Sequence, residues 1–287
     1  MEQVIGEFVA DLKLAGRANW TIKKHAQELA RFSRWLVELG HAWQQLEPAK
    51  LKQYVRTKAH LGHSSRSNML CTLRTFYRWA VEQEYISVSP AVGLKTPRRP
   101  HPLPRALTLD QVRQVVAHVR ACEGRTARRD EALILTALYT GLRACELARL
   151  RWHDVDLSAG VINIALSKMG KGRSVPIHGD LVKQLRSWRA EQAGADHWPC
   201  FSLDGESLVA ARAGKVAARV SSASGVRFTA HILRHTFATW SLRKSGNLYA
   251  VSKTLGHAQV AQTEIYVSAD PELLRAAVRS LPGFDAW

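Results

Sequence analysis

The chain has 287 residues, enough for two domains with a core each, and at 46% hydrophobic it has the composition of a folding chain rather than a disordered one. Lys and Arg number 41 against 24 Asp and Glu, a net charge of +17, which points to a polyanionic partner, nucleic acid first and an acidic surface such as a membrane second. The longest apolar stretch, around Ala132 to Tyr139, is far short of the roughly 20 residues that span a bilayer, so no membrane-spanning helix is expected, and the partner expected is nucleic acid, not a membrane. The N-terminal stretch lacks a basic segment followed by an apolar block, so no signal peptide is expected. Cys71, Cys122, Cys145 and Cys200 form no CxxC pair. That argues against a disulfide framework or cysteine zinc site and fits a reducing cytoplasm.

Residues 1–95 read as helices. Val4, Phe8 and Leu12 recur at helical spacing. In the next helix Ile22, Leu29, Phe32 and Leu36 share a face, with Thr21 as N-cap and Gly40 as stop. A third helix runs from Pro48, where a missing N–H does no harm, to about His60. A fourth turns Leu70, Leu73, Phe76 and Tyr77 inward and shows Arg66, Arg74 and Arg78 on its polar side. Those arginines are either a solvated face or phosphate contacts.

Five of the ten prolines fall between Pro90 and Pro104, interleaved with Lys95, Arg98 and Arg99 and followed by Arg105. Proline this dense favours an extended, semi-rigid connector. A linker is therefore expected at 96–106, between a helical domain at 1–95 and a second domain at 107–287. Arg98 and Arg99 are candidates to follow a phosphate backbone.

The second domain is mixed. Helical patterns at "TLDQVRQVVAHVR" and "TARRDEALILTALYTGL" precede one β signal, "GVINIALSKMGKGRSVPI", read as two short strands about a Gly- and Lys-rich turn. Helices resume at "GDLVKQLRSWRAEQ", "ESLVAARAGKVAARV", "TAHILRHTFATWSLRKSG" and "DPELLRAAVRSL". The fold class expected is mainly α with a small β-sheet in the second domain.

Four stretches can carry chemistry. In "TGLRACELARLRWHDVDL" a helix ends at Gly141 and another opens near Arg143, placing Arg143 and Glu146 on one face. Glu146 either holds Arg143 in place or makes a surface ion pair of little worth. In "SKMGKGRSVPI" a turn presents Lys168, Lys171 and Arg173, as a solvated tip or as cations pushed into a groove. In "AHILRHTFATW" His231 and Arg234 point the same way on an otherwise apolar helix, and arginine is costly to bury without an anion. His231 and His235 also have the spacing of a zinc helix. The Glu of HExxH is absent, however, and Arg234 would set a fixed cation beside the metal, so no metal is expected. The fourth stretch, "LGHAQVAQTEIYV", holds His257 and Tyr266.

Together these give two Arg, one Lys, two His and one Tyr, with no carboxylate cluster for Mg²⁺ and no GxxxxGK[ST] loop. Such a set suits attack by a phenolate on a phosphodiester. Guanidiniums grip the non-bridging oxygens, imidazoles hydrogen-bond or move a proton, and a lysine protonates the departing sugar oxygen. A phosphotyrosine conserves the bond energy, so no ATP is needed. A phenol with a pKa of about 10 is a weak nucleophile, and the surrounding cations are expected to activate it.

These residues, in this order, resemble the tyrosine recombinase (phage integrase) family, Xer-type members most closely in size and layout. The match is carried by "TGLRACELARLRWHDVD", "SKMGKGRSVPI", "HILRHTFAT" and "LGHAQVAQTEIY" and covers about 107 to 280. The N-terminal part matches in helical, basic character, as the family's SAM-like core-binding domain. The resemblance implies that Arg143 and Arg234 grip the scissile phosphate and that Lys168 is the general acid. His231 would serve proton transfer, His257 would donate to the phosphate, and Tyr266 would be the nucleophile, with Glu146 in support. Met169 stands where the family commonly has Gly, which leaves Lys168 the softest assignment against Lys171. No member of the set is missing, so an active enzyme without metal or cofactor is expected.

The resemblance further implies one-strand-at-a-time cleavage through a 3′-phosphotyrosine, a Holliday junction and a homotetramer on two double-stranded DNA sites. The segment "DPELLRAAVRSLPGFDAW" would dock on a neighbouring protomer, or else cap its own domain. The two basic domains would close as a clamp on the duplex, and a partner recombinase or accessory protein is compatible with this layout. Two rival readings are a catalytically silent DNA-binding protein of the same fold and a type IB topoisomerase.

Overall fold

The structure, a computed structural model, describes residues 1–95, 105–165, 172–192, 194–205, 210–256, 259 and 261–268. The chain divides into two compact units, Met1–His101 and Pro102–Trp287.

The first unit holds four α-helices among its described residues: α1 (Glu2–Leu14), α2 (Asn19–Glu38), α3 (Pro48–Thr57) and α4 (His63–Glu82). α2 buries Ile22, Leu29, Phe32 and Leu36, the stripe its periodicity names. Its start differs from expectation: the N-cap is Ala18, and Thr21 lies inside the first turn. α3 has Pro48 in its first turn and ends at Thr57, short of His60. The core is aromatic, with Phe8 edge-on to Phe76 at 5.6 Å and to Trp79 at 5.3 Å between ring centroids. Each such ring contributes roughly 1.5–3 kcal/mol by burial alone. Buried polar ends find partners: Trp79 Nε1 donates to Asp11 at 2.8 Å and Tyr54 to Glu28 at 3.0 Å.

The second unit opens with α5 (Leu109–Ala121), capped by Thr108 and Gln111 in a reciprocal box, and α6 (Arg125–Thr140), buried along most of its length. α7 (Ala144–Arg149) leads to β1 (Val155–Asp156), β2 (Val161–Ile164) and β3 (Arg173–Pro176), an antiparallel sheet in that order. The register pairs Ile162 with both Val155 and Val175, all buried. The sheet has one strand more than expected, because two residues are too few to show alternation. Then come α8 (Gly179–Gln192), α9 (Ala210–Ala223), α10 (Ala230–Ser245), α11 (Leu248–Leu255) and α12 (Ala261–Ser268). α10 anchors the start of this unit: Thr236 Oγ1 accepts from the Leu107 N–H at 2.9 Å, and Trp240 Nε1 donates to the Leu107 carbonyl at 3.1 Å.

Candidate active site

Two glycine-terminated helices build the floor of the site. α6 stops at Gly141, whose φ of 63° is left-handed. A Cβ there would also meet Phe237 at 2.5 Å and Leu255 at 2.9 Å, so glycine is required twice over. α11 stops the same way at Gly256, with φ 65° and Arg173 Nη1 at 2.8 Å from where a Cβ would lie.

The end of α11 holds three guanidiniums on three successive carbonyls. Thr254 O accepts from Arg173 Nε at 2.8 Å, Leu255 O from Arg234 Nη2 at 2.8 Å, and Gly256 O from Arg143 Nη2 at 3.4 Å. Arg234 Nη1 donates to Gly141 O at 2.7 Å. Carbonyls at a helix C-terminus lack intrahelical donors and carry the negative end of the dipole. Arg234, 3% exposed, is therefore buried against helix ends rather than against a carboxylate. Burial, then the Arg143 charge, lowers its pKa to about 10, which leaves it cationic at neutral pH.

Glu146 is the anionic hub. Its carboxylate accepts from the Arg143 amide at 2.8 Å and from Arg143 Nη1 at 3.1 Å. It also takes both Nη atoms of Arg173 at 2.9 Å. Burial pushes the Glu146 carboxyl up, but hydrogen bonds from Arg173 and the Arg143 amide and the two positive charges outweigh it and hold the group below its ordinary value. Arg143 sits at the N-cap of α7 with its side chain 40% exposed, so its guanidinium is open to an incoming anion.

The nucleophile candidate stands beside them. Tyr266, on α12, is 2% exposed and packs with Ala238, Leu242, Val251 and Leu255. Its hydroxyl lies 2.7 Å from His235 Nδ1 on α10. Burial raises the phenol pKa, and Arg234 and Arg143 pull it down by less. The cations therefore act in the expected direction without winning: the buried phenol keeps its proton at neutral pH. His231 is exposed in the first turn of α10, its ring 4.2 Å edge-on from that of His235. Partial burial, then Arg234 and Arg143, keep it below its ordinary pKa.

Arg143, Glu146, His231, Arg234 and Tyr266 thus come together. Lys168, Lys171, His257, Arg98, Arg99 and the segment 269–287 lie outside the described residues. Arg66, Arg74 and Arg78 belong to the first unit, on α4, the first half-buried and the others exposed. Arg173 is a correction. It is not presented at a hairpin tip but opens β3, 15% exposed and locked between Glu146 and Thr254, because the strand register turns it toward α11. His235 is a residue sequence reasoning weighed only as a zinc ligand. Its spacing from His231 was the available signal, but its Nδ1 faces Tyr266 instead. Among the described residues no three His, Cys, Asp or Glu lie close enough to hold a metal, and no helix is long and apolar enough to cross a membrane.

Residues 105–272 match the phage integrase family, and residues 5–84 match the phage integrase N-terminal SAM-like domain. The tyrosine recombinase XerC of Xylella fastidiosa (strain 9a5c) is 32% identical over 285 residues, 96% of this chain and 95% of that protein. The XerC of Azotobacter vinelandii is 35% identical over 265 residues, 89% of this chain and 87% of that one. In fold, the chain is similar to XerH recombinase bound to a palindromic difH substrate, with TM-score 0.77, 22% identity, and coverage of 92% of this chain and 81% of that one. It is also similar to a lambda integrase dimer on a COC′ core site, with TM-score 0.75, 18% identity, and coverage of 94% and 95%. The chain belongs to the phage integrase family of tyrosine recombinases, with Xer-type proteins among its relatives.

Proposed function

We propose that this protein is a site-specific DNA recombinase that cleaves and rejoins duplex strands through a covalent 3′-phosphotyrosine at Tyr266, and exchanges them through a Holliday junction without metal or ATP. The observation that carries the reading is the placement of a buried phenol within the field of two arginines, Arg143 and Arg234, that are aimed by helix ends and by Glu146. Arg143 and Arg234 grip the non-bridging oxygens of the scissile phosphate. The phenol oxygen attacks phosphorus in line as its proton passes to His231, and the 5′-oxygen leaves with a proton from Lys168. Three guanidiniums against one carboxylate leave the site net positive, which offsets the charge that develops on the phosphoryl group. His231, on the rim, serves proton transfer. Lys168 as general acid and His257 as phosphate donor rest on their sequence motifs.

Double-stranded DNA is the substrate this reading names. It is supported by the charge of +17 and by the DNA-bound state of the XerH and lambda integrase structures of similar fold. The reaction implies a homotetramer on two sites, with residues 269–287 docking between protomers and a partner recombinase or accessory protein compatible with it. Its place is the cytoplasm, where the DNA and reduced thiols are. The test is a suicide duplex, nicked near the cleavage point so that the cut strand cannot religate, incubated in EDTA without ATP. Wild type is expected to give a covalent protein–DNA band on a denaturing gel and Tyr266→Phe none. A band from both overturns the assignment.

A further inference from the structure

We propose that His235 is the positioning residue for the Tyr266 nucleophile: its Nδ1 accepts the phenolic hydrogen bond and fixes where the hydroxyl oxygen sits on α12. The inference rests on the reading of Tyr266 as nucleophile. Its own basis is the 2.7 Å contact between Tyr266 Oη and His235 Nδ1. That distance is normal for a strong hydrogen bond to a ring nitrogen.

The chain connectivity gives the contact a purpose. His235 follows Arg234 directly and stands one helical turn beyond His231, so a single helix, α10, presents the phosphate-gripping arginine and the partner of the phenol. Tyr266 arrives on a separate, short helix, α12, which has no covalent reason to hold a fixed register with α10. The rest of the tyrosine ring packs on Ala238, Leu242, Val251 and Leu255, contacts that bury the ring without orienting its oxygen. The hydrogen bond supplies that orientation. His235 is itself held: its ring meets His231 edge-on at 4.2 Å and Tyr266 at 5.4 Å between centroids.

The protonation states agree. Burial, then His231 and Arg234, bring the His235 pKa down to about 4, so the ring is neutral and keeps an unprotonated nitrogen at neutral pH. The phenol, raised by burial, keeps the hydrogen to donate. With Nδ1 accepting, the ring proton is on Nε2.

The test compares single-turnover cleavage of the nicked duplex by wild type, His235→Phe, His235→Asn and Tyr266→Phe, with DNA affinity measured alongside. Phe keeps the ring and its packing but has no acceptor, whereas Asn loses the ring and places an amide oxygen near Nδ1. Misplacing a reacting oxygen by about 1 Å costs on the order of 10²-fold. His235→Phe is therefore expected to bind DNA within about threefold of wild type and to cleave about 30- to 100-fold slower, with His235→Asn recovering to within about tenfold. A purely packing role predicts the reverse order. Wild-type cleavage by His235→Phe, or an Asn variant no faster than Phe, overturns the proposal. Tyr266→Phe separates the two readings: a covalent product from it removes the nucleophile, while its silence beside a fully active His235→Phe removes only the role of His235. A second measurement needs no variant that might misfold. In wild-type protein with ¹⁵N-labelled histidine, the expected result is an unprotonated Nδ1 and a protonated Nε2 for His235, and the opposite tautomer overturns the proposal.

Discussion

A guanidinium without an anion is costly to bury, and Arg234 meets that cost with the carbonyls of Gly141 and Leu255. A planar fork with two ends is what those two acceptors fit, and an ammonium cannot reproduce it. Arg234→Lys is expected to lower the cleavage rate roughly 10²- to 10³-fold, with a smaller loss in DNA affinity, in the suicide-duplex assay. Arg173 has a supporting part through Glu146. Arg173→Ala leaves a largely buried carboxylate with half its partners and is expected to cost about 2–4 kcal/mol in urea denaturation. His235 makes a pH prediction. Its folded pKa, about 4, lies below the ordinary 6.5, so the unfolded chain takes up the proton first as pH falls. Stability from this group is complete above 6.5 and is lost between 6.5 and about 4. After allowance for solvent screening the loss is on the order of 1–2 kcal/mol, and His235→Asn should remove that part of the pH dependence. Arg143, Glu146, His231, Arg234 and Tyr266, which lie in three separate sequence motifs, come together in the fold. The motifs single out Arg173 and His235 but not the contacts these make with Glu146 and Tyr266, because one contact depends on strand register and the other on a helix that arrives 31 residues later.

At the scale of elements, the C-terminus of α11 organises the site, since its last carbonyls position three arginines at once. Gly256→Ala places a Cβ against Arg173 at a left-handed φ and is expected to destabilise by roughly 1–3 kcal/mol. It should also slow cleavage beyond that loss, because the carbonyls move with the turn. Thr108→Ala is the contrast: it removes the cap of α5 and costs about 1 kcal/mol, with cleavage of the folded enzyme unchanged. Thermal unfolding and single-turnover rates on the two variants separate the effects. The long helices α2, α4 and α6 are legible in the sequence because each spans enough turns for the buried stripe to repeat. α11 and α12 have eight residues each, too few for that, although Asn247 and Gly256 mark both ends of α11. The site's floor is thus legible only as caps, and the contacts on it depend on tertiary packing.

At the scale of the molecule, two basic units carry +17 together. Affinity for duplex DNA should fall linearly in logarithmic salt, with a slope near −0.9 per phosphate neutralised. On the proposal that Arg74 and Arg78 contact phosphates, replacing each by Ala should reduce that slope by about one and leave the cleavage rate of the bound complex unchanged. The central claim is more specific than binding: it concerns one oxygen. The direct measurement is to trim the covalent adduct with nuclease, digest the protein and map the modified peptide by mass spectrometry. The expected result is a nucleotide joined through its 3′-phosphate to Tyr266. A nucleotide on any other residue, or a 5′-linkage, contradicts the account.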